Sequence, residues 1–180
     1  MSHFGSGTEQ ALHCLLFLVG RQNEGLPSAR DLAEFQGVSP SFVAKLFTKL
    51  DKAGIVKSGE GVRGGFRLAR PAAEISVLDV VDAIEGEKPL FRCREIRKDC
   101  VLYGDEPPRS ATEGVCTIHR VMLEAERTMR ESLARVSLGD LSRQTARKIP
   151  KAFQAAARSW FDLRQAERGL TLPKNLNRSL

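Results

Sequence analysis

Glu9 and His13 stand four residues apart in the stretch Thr8-Glu9-Gln10-Ala11-Leu12-His13-Cys14, and three more cysteines, Cys93, Cys100 and Cys116, follow far downstream. A spacing of four projects both side chains from one face of a helix, within reach of a single centre. A carboxylate and an imidazole so placed suit a metal, although a solvated polar face has the same pattern. Thiolates are the usual ligands of iron–sulfur clusters, and imidazole in place of thiolate raises the cluster potential. Zinc favours closed sites at tighter spacing than Cys93-x6-Cys100-x15-Cys116. Arg92, Arg94, Arg97 and Lys98 surround Cys93 and would equally suit the low-pKa thiol of a redox switch. Cys14 points about 100° round the helix from His13, beside the apolar face, and reads as a core thiol.

These groups need a scaffold. The chain has 180 residues, 42% hydrophobic and 28% charged, enough for one domain or a small domain with an appendage. No run approaches the ~18 apolar residues of a membrane span, and the start lacks the pattern of a signal peptide. A cytoplasmic protein without membrane attachment is expected, its cysteines serving as ligands, sensors or core rather than disulfides. The net charge of +6 is unevenly placed. Residues 142–180 carry nine Lys or Arg against two Asp or Glu, so the preceding chain is close to neutral. Within it, residues 28–68 hold seven basic against four acidic residues, a local balance suited to phosphate.

A first helix is expected over residues 7–20. A second begins at the capping box Ser28-x-x-Asp31 and runs to Gly37. A third begins at Ser39 as N-cap with Pro40 at the first position, and Phe42, Val43, Leu46, Phe47 and Leu50 recur at helical spacing. The tight turn between them makes a helix-turn-helix. Strand-like Ile55–Ser58 and Phe66–Ala69 flank a glycine-rich tip and read as a hairpin wing. Ser76-x-x-Asp79 announces a helix from Val77 to Ile84. Residues 87–116 hold the three later cysteines and show no period. From Thr117, Ile118, Met122, Ala125, Met129, Leu133 and Val136 form one apolar stripe, a natural dimer interface. A helix from Lys151 to Arg168 carries the single Trp160 in the basic tail.

The expected fold is therefore mostly α: a winged helix-turn-helix with a small β-hairpin wing and a long dimerisation helix. The divisions are residues 1–86, winged helix; 87–116, cysteine-bearing loop; 117–141, dimerisation helix; and 142–180, basic extension. In such a fold the second helix of the pair enters the major groove by its N-terminal end. Ser28, Ser39, Ser41, Lys45 and Lys49 are the candidate DNA-facing residues, with Arg63, Gly64 and Gly65 at the wing tip. There glycine lets the backbone approach phosphate, and Arg63 is long enough for a minor groove.

The blocks SPSFVAKLFTKLDKAGIVKS, GEGVRGGFRLARP and ISVLDVVDAIEG, with a cysteine loop before a long helix, resemble the bacterial winged-helix regulators typified by IscR and NsrR. The resemblance covers residues 5 to about 141. It implies a homodimeric regulator on a palindromic double-stranded DNA site, its affinity set by an iron–sulfur cluster sensing redox state, cluster status or nitric oxide. TEQALHC, FRCREIR and CTIH are most similar to the RsrR-like branch with a redox-sensitive [2Fe–2S] cluster. That branch implies Glu9 and His13 from one subunit and two of Cys93, Cys100 and Cys116 from the other. Gln10 departs from the aromatic residue usual there, as does the Cys spacing. A second reading completes a three-Cys site with His119; a third takes three Cys plus Glu9 and a [4Fe–4S] cluster. A thiol-switch or zinc-binding regulator is the alternative. A small iron–sulfur electron carrier is the contrasting class, and the winged helix argues against it. No nucleophile with an evident base and no nucleotide-binding motif points to an enzyme.

Overall fold

The structure is a computed structural model that describes residues 4–21, 26–59, 64–104 and 106–170. The chain divides into two units. One holds the residues up to Gly86 together with those from Ala134 onward; the other spans Glu87–Leu133.

The first unit is a winged helix. Helix α1 (Ser6–Leu16) buries Ala11, Cys14 and Leu15, and ends in a turn that closes at Gly20 with φ +81°. The helix expected over residues 7–20 thus stops a turn early. Helix α2 (Ala29–Gln36) opens on the Ser28/Asp31 capping box and stops at left-handed Gly37, where glycine avoids the Cβ clash. Helix α3 (Pro40–Lys52) buries Val43, Leu46, Phe47 and Leu50 on one face, as its periodicity predicts. Strands β1 (Val56–Ser58) and β2 (Phe66–Leu68) pair antiparallel, with Lys57 opposite Arg67. Phe47 meets Phe66 at a ring-centroid distance of 4.6 Å and so ties α3 to the hairpin. Helix α4 (Val77–Glu85) carries the second capping box, Ser76/Asp79, and buries Val80, Val81 and Ile84.

The chain returns to this unit through backbone bonds from Val77 N to Val136 O and from Leu138 N to Ile75 O, both 2.8 Å. The stripe expected to continue to residue 141 breaks here. Helix α6 (Thr117–Ala134) ends just before this return, and a third capping box, Ser137/Asp140, starts α7 (Leu138–Lys148). Fully buried Leu138 anchors that new start in the core. Helix α8 (Lys151–Leu170) extends past the expected Arg168 and packs on α1 and α2. Its Phe161 is buried, with ring centroids 5.5 Å from Phe17 and 5.0 Å from Phe35, and Trp160 lies 5.1 Å from Phe35. Burying a ring of this size contributes roughly 2 kcal/mol, so the tail is part of the fold and not an appendage.

In the second unit, two 3₁₀ turns (Ile96–Asp99 and Val101–Tyr103) and the short α5 (Arg109–Thr112) precede α6 (Thr117–Ala134). None of its described residues is buried, and Val101 and Leu102 are 90% and 87% exposed. Among the described residues no helix is long and apolar enough to cross a membrane.

Candidate DNA interface and thiol site

The exposed side of α3 presents Ser41, Ala44, Lys45 and Thr48, which share one face by their spacing. Ser39 occupies the N-cap, but its hydroxyl makes no capping bond; it pairs with the Ser41 hydroxyl at 2.9 Å, and both stay exposed. A recess of about 550 Å³ joins Ser39, Ser41 and Lys45 to Ser6 and Gln10 of α1. Hydroxyls, an ammonium and the free N–H groups of a helix start are groups that meet bases and phosphates.

Three expected DNA-facing residues are placed otherwise. Ser28 is saturated by its own cap: its hydroxyl donates to Asp31 Oδ2 at 2.7 Å and accepts from Asp31 N at 3.1 Å. The ammonium of Lys49 donates to Ile84 O at 2.6 Å, among the last carbonyls of α4, which lack partners within the helix. Gly65 is buried, and a Cβ there would lie 2.3 Å from Leu26 O. Its missing side chain therefore admits the Leu26–Pro27 backbone rather than phosphate. Gly64 is half-buried, and Arg63 lies outside the described residues.

The wing also shows what single-residue reading missed. Lys57 and Arg67 face each other across the strands, both exposed, with no anionic partner among the described residues. Like charges directly opposite are unfavourable on an isolated sheet, and a phosphate backbone would relieve them. Their strand register was the available signal.

On α1, Glu9 and His13 are both exposed on one face, four residues apart. Cys14 is fully buried, and burial pushes its thiol up to about 12; it is a core residue, as its position on the apolar face predicts.

The cysteines of the second unit are half-buried and unpaired. Cys93 and Cys116 line one recess of about 280 Å³ with Phe91, Glu95, Arg97 and Ile118. Cys100 sits between the two 3₁₀ turns and does not line it. Cys116 precedes α6, where the backbone N–H groups of His119 and Ile118 hold its thiol below the usual range, and Arg97 adds to this. Cys93 Sγ accepts a bond from Glu95 N at 3.4 Å. Glu95 is the one non-glycine residue at positive φ (52°) among those described, and this strained turn aims its N–H at the sulfur. Arg97 holds the recess together: it grips the Glu95 carboxylate and donates to Thr112 O at 3.3 Å and Gly114 O at 3.0 Å. That grip keeps the Glu95 carboxyl below the ordinary range. His119 lies in the first turn of α6 with its ring 6.0 Å from Phe91. Among the described residues, no three His, Cys, Asp or Glu side chains converge as for a single metal ion. In the sequence Arg97 is one of several cations near Cys93, and Glu95 carries no distinct signal. Their mutual pairing is local, but the Arg97 bonds to Thr112 and Gly114 are distant in sequence.

The profile described as "Rrf2: Iron-dependent Transcriptional regulator" matches residues 4–144. Protein rrf2 of Nitratidesulfovibrio vulgaris is 34% identical over 132 residues, covering 73% of this chain and 81% of that protein. Among solved structures, IscR from T. potens aligns with a TM-score of 0.61 at 21% identity, covering 86% of this chain and 96% of that one. CymR, the global cysteine regulator of B. subtilis, aligns with a TM-score of 0.57 at 22% identity, over 80% and 98%. The fold is that of these winged-helix regulators. The α8 helix lies beyond the residues that the family model matches.

Proposed function

The chain belongs to the Rrf2 family of transcriptional regulators, and from that premise we propose that an iron–sulfur cluster controls its affinity for DNA. The protein acts in the cytoplasm as a homodimer on a palindromic duplex, with α3 in the major groove and the wing on flanking phosphates. Glu9 and His13 of one subunit and two cysteines of the other hold the cluster, as in the RsrR-like branch. The observation that carries this reading is the pairing of Cys93 and Cys116 in one recess beside Arg97, which favours these two over Cys100.

The donor set fits such a group. One thiol is already held toward its anionic form, and the cation beside it offsets the negative charge of a thiolate-bound cluster. When bound, the cluster would supply a one-electron change of charge, with [2Fe–2S] favoured over [4Fe–4S] by the resemblance to the RsrR-like branch. Arg97 fixes the recess, Glu95 orients Cys93, and the α6 N-terminus stabilises the Cys116 thiolate.

The test is an anaerobic preparation assayed for visible absorption and for iron and sulfide per chain. It is combined with DNA mobility shifts of the oxidised and reduced forms. A coloured protein whose DNA affinity follows its redox state is expected. A colourless, zinc-loaded protein with invariant DNA binding would overturn the reading. A second reading, a thiol switch, is favoured by the depressed Cys116 thiol. It predicts redox-dependent binding with no iron, lost in Cys116→Ser alone.

A further inference from the structure

Arg168 of the C-terminal helix reaches the base of the wing. Arg168 Nη2 donates to Leu26 O at 2.7 Å, and its Nη1 lies 2.7 Å from Asp31 Oδ2. Asp31 is only 6% exposed, and the same oxygen already accepts from Ser28 N at 2.8 Å and from the Ser28 hydroxyl at 2.7 Å. Arg168 is thus the counter-charge of a buried carboxylate that also caps α2. The adjoining backbone belongs to the wing: Pro27 O accepts from Phe66 N at 2.8 Å, and Gly65 lies flat against Leu26. Residues 26–28 therefore form a junction where the α2 cap, strand β2 and α8 meet. A buried carboxylate left without its partner draws in water, and here that change falls on the segment that sets the wing.

We propose that Arg168 is a positioning residue for DNA recognition, and that α8 braces the wing against the helix-turn-helix through the Leu26–Asp31 junction. The family match ends at residue 144, so Arg168 lies outside the residues that it covers. Arg164 marks the contrast. It comes from the same helix and pairs with Glu34 in the body of α2, away from the wing. Arg168 acts through the wing and touches no DNA itself. The proposal rests on the reading that the wing contacts flanking DNA.

The experiment uses the full-length protein on a duplex selected by the wild type from a random pool. Hydroxyl-radical protection reports backbone contacts beside the minor groove, where the wing docks, and protection of guanine N7 from methylation reports α3 in the major groove. Arg168→Ala should weaken binding about tenfold, the size of one lost groove contact. Flank protection should disappear while N7 protection remains at saturating protein. Arg168→Lys, which keeps the charge opposite Asp31, should restore part of the flank protection, and Arg164→Ala should leave both patterns unchanged. The proposal is overturned if Arg168→Ala keeps wild-type flank protection. It is also overturned if both protections fall together with the folded fraction measured by circular dichroism, the mark of a purely structural role. Absence of flank protection in the wild type would instead sink the wing reading on which the proposal rests.

Discussion

The winged unit and the segment Glu87–Leu133 are built on opposite principles. The first closes α2, α4 and α7 with Ser/Asp capping boxes and backs its helices with one apolar cluster. The second has no buried residue among those described and is held by backbone and side-chain bonds converging on Arg97. Apolar burial makes a unit stable in its own right, whereas a polar hub on an exposed segment opens at small cost. Control can enter at this boundary, because a well-packed reader is joined to a segment held by a few exposed polar bonds.

The largest effect separates the two cores. Phe47→Ala removes a fully buried ring and should cost about 3–5 kcal/mol. Leu102→Ala, at a site 87% exposed, should stay within about 0.5 kcal/mol. Thermal unfolding of both variants reads the contrast, and similar melting shifts would erase it. Next, Arg97→Ala should lower the iron and sulfide retained per chain while leaving the main thermal transition in place. A lost transition would mean that the hub supports the whole chain.

Thiol chemistry sharpens the same division. In metal-free protein the thiolate is the reactive form, so alkylation of Cys116, whose thiol is held below the usual range, should already be fast at a pH below the ordinary thiol pKa of about 8.5. Cys14, with its thiol pushed up to about 12, should stay unlabelled until unfolding, and mass spectrometry of the peptides reads this directly. The linkage has a definite sign. Above the ordinary thiol pKa the unfolded chain releases the Cys14 proton and the folded one does not, so stability falls as pH rises there. The smallest effect is that of a cap. Ser137→Ala should cost about 1 kcal/mol, measured by denaturant titration, and an unchanged midpoint would show that Leu138 alone fixes the α7 start.

Much of the reader was legible because its signals are local. Val43, Leu46, Phe47 and Leu50 repeat at the helical period and are buried, and Ser28-x-x-Asp31 and Ser76-x-x-Asp79 mark their helices. Ser137-x-x-Asp140 carries the same signal, but the apolar recurrence of Leu133 and Val136 ran through it and masked the end of α6. Gly65 was legible as a close approach, though not to what, because Leu26 lies far from it in sequence. The α8 helix was legible as a helix; its seat on Phe17 and Phe35 is a tertiary fact. At the site, Glu9 and His13 share the exposed face that their spacing implies. The Arg97 bonds to Thr112 and Gly114 and the left-handed turn at Glu95 arise from loop geometry, which has no period to read.

The central claim is that a cluster held by this chain sets its DNA affinity. It is tested most directly by titrating a duplex selected from a random pool with protein of known iron and sulfide content, fully oxidised and then fully reduced, without exchange of buffer or salt. Dissociation constants should differ by about tenfold or more between the two states, and Cys93→Ser/Cys116→Ser protein should contain no iron and show no such difference. Equal affinities in both redox states of iron- and sulfide-loaded wild type would contradict it.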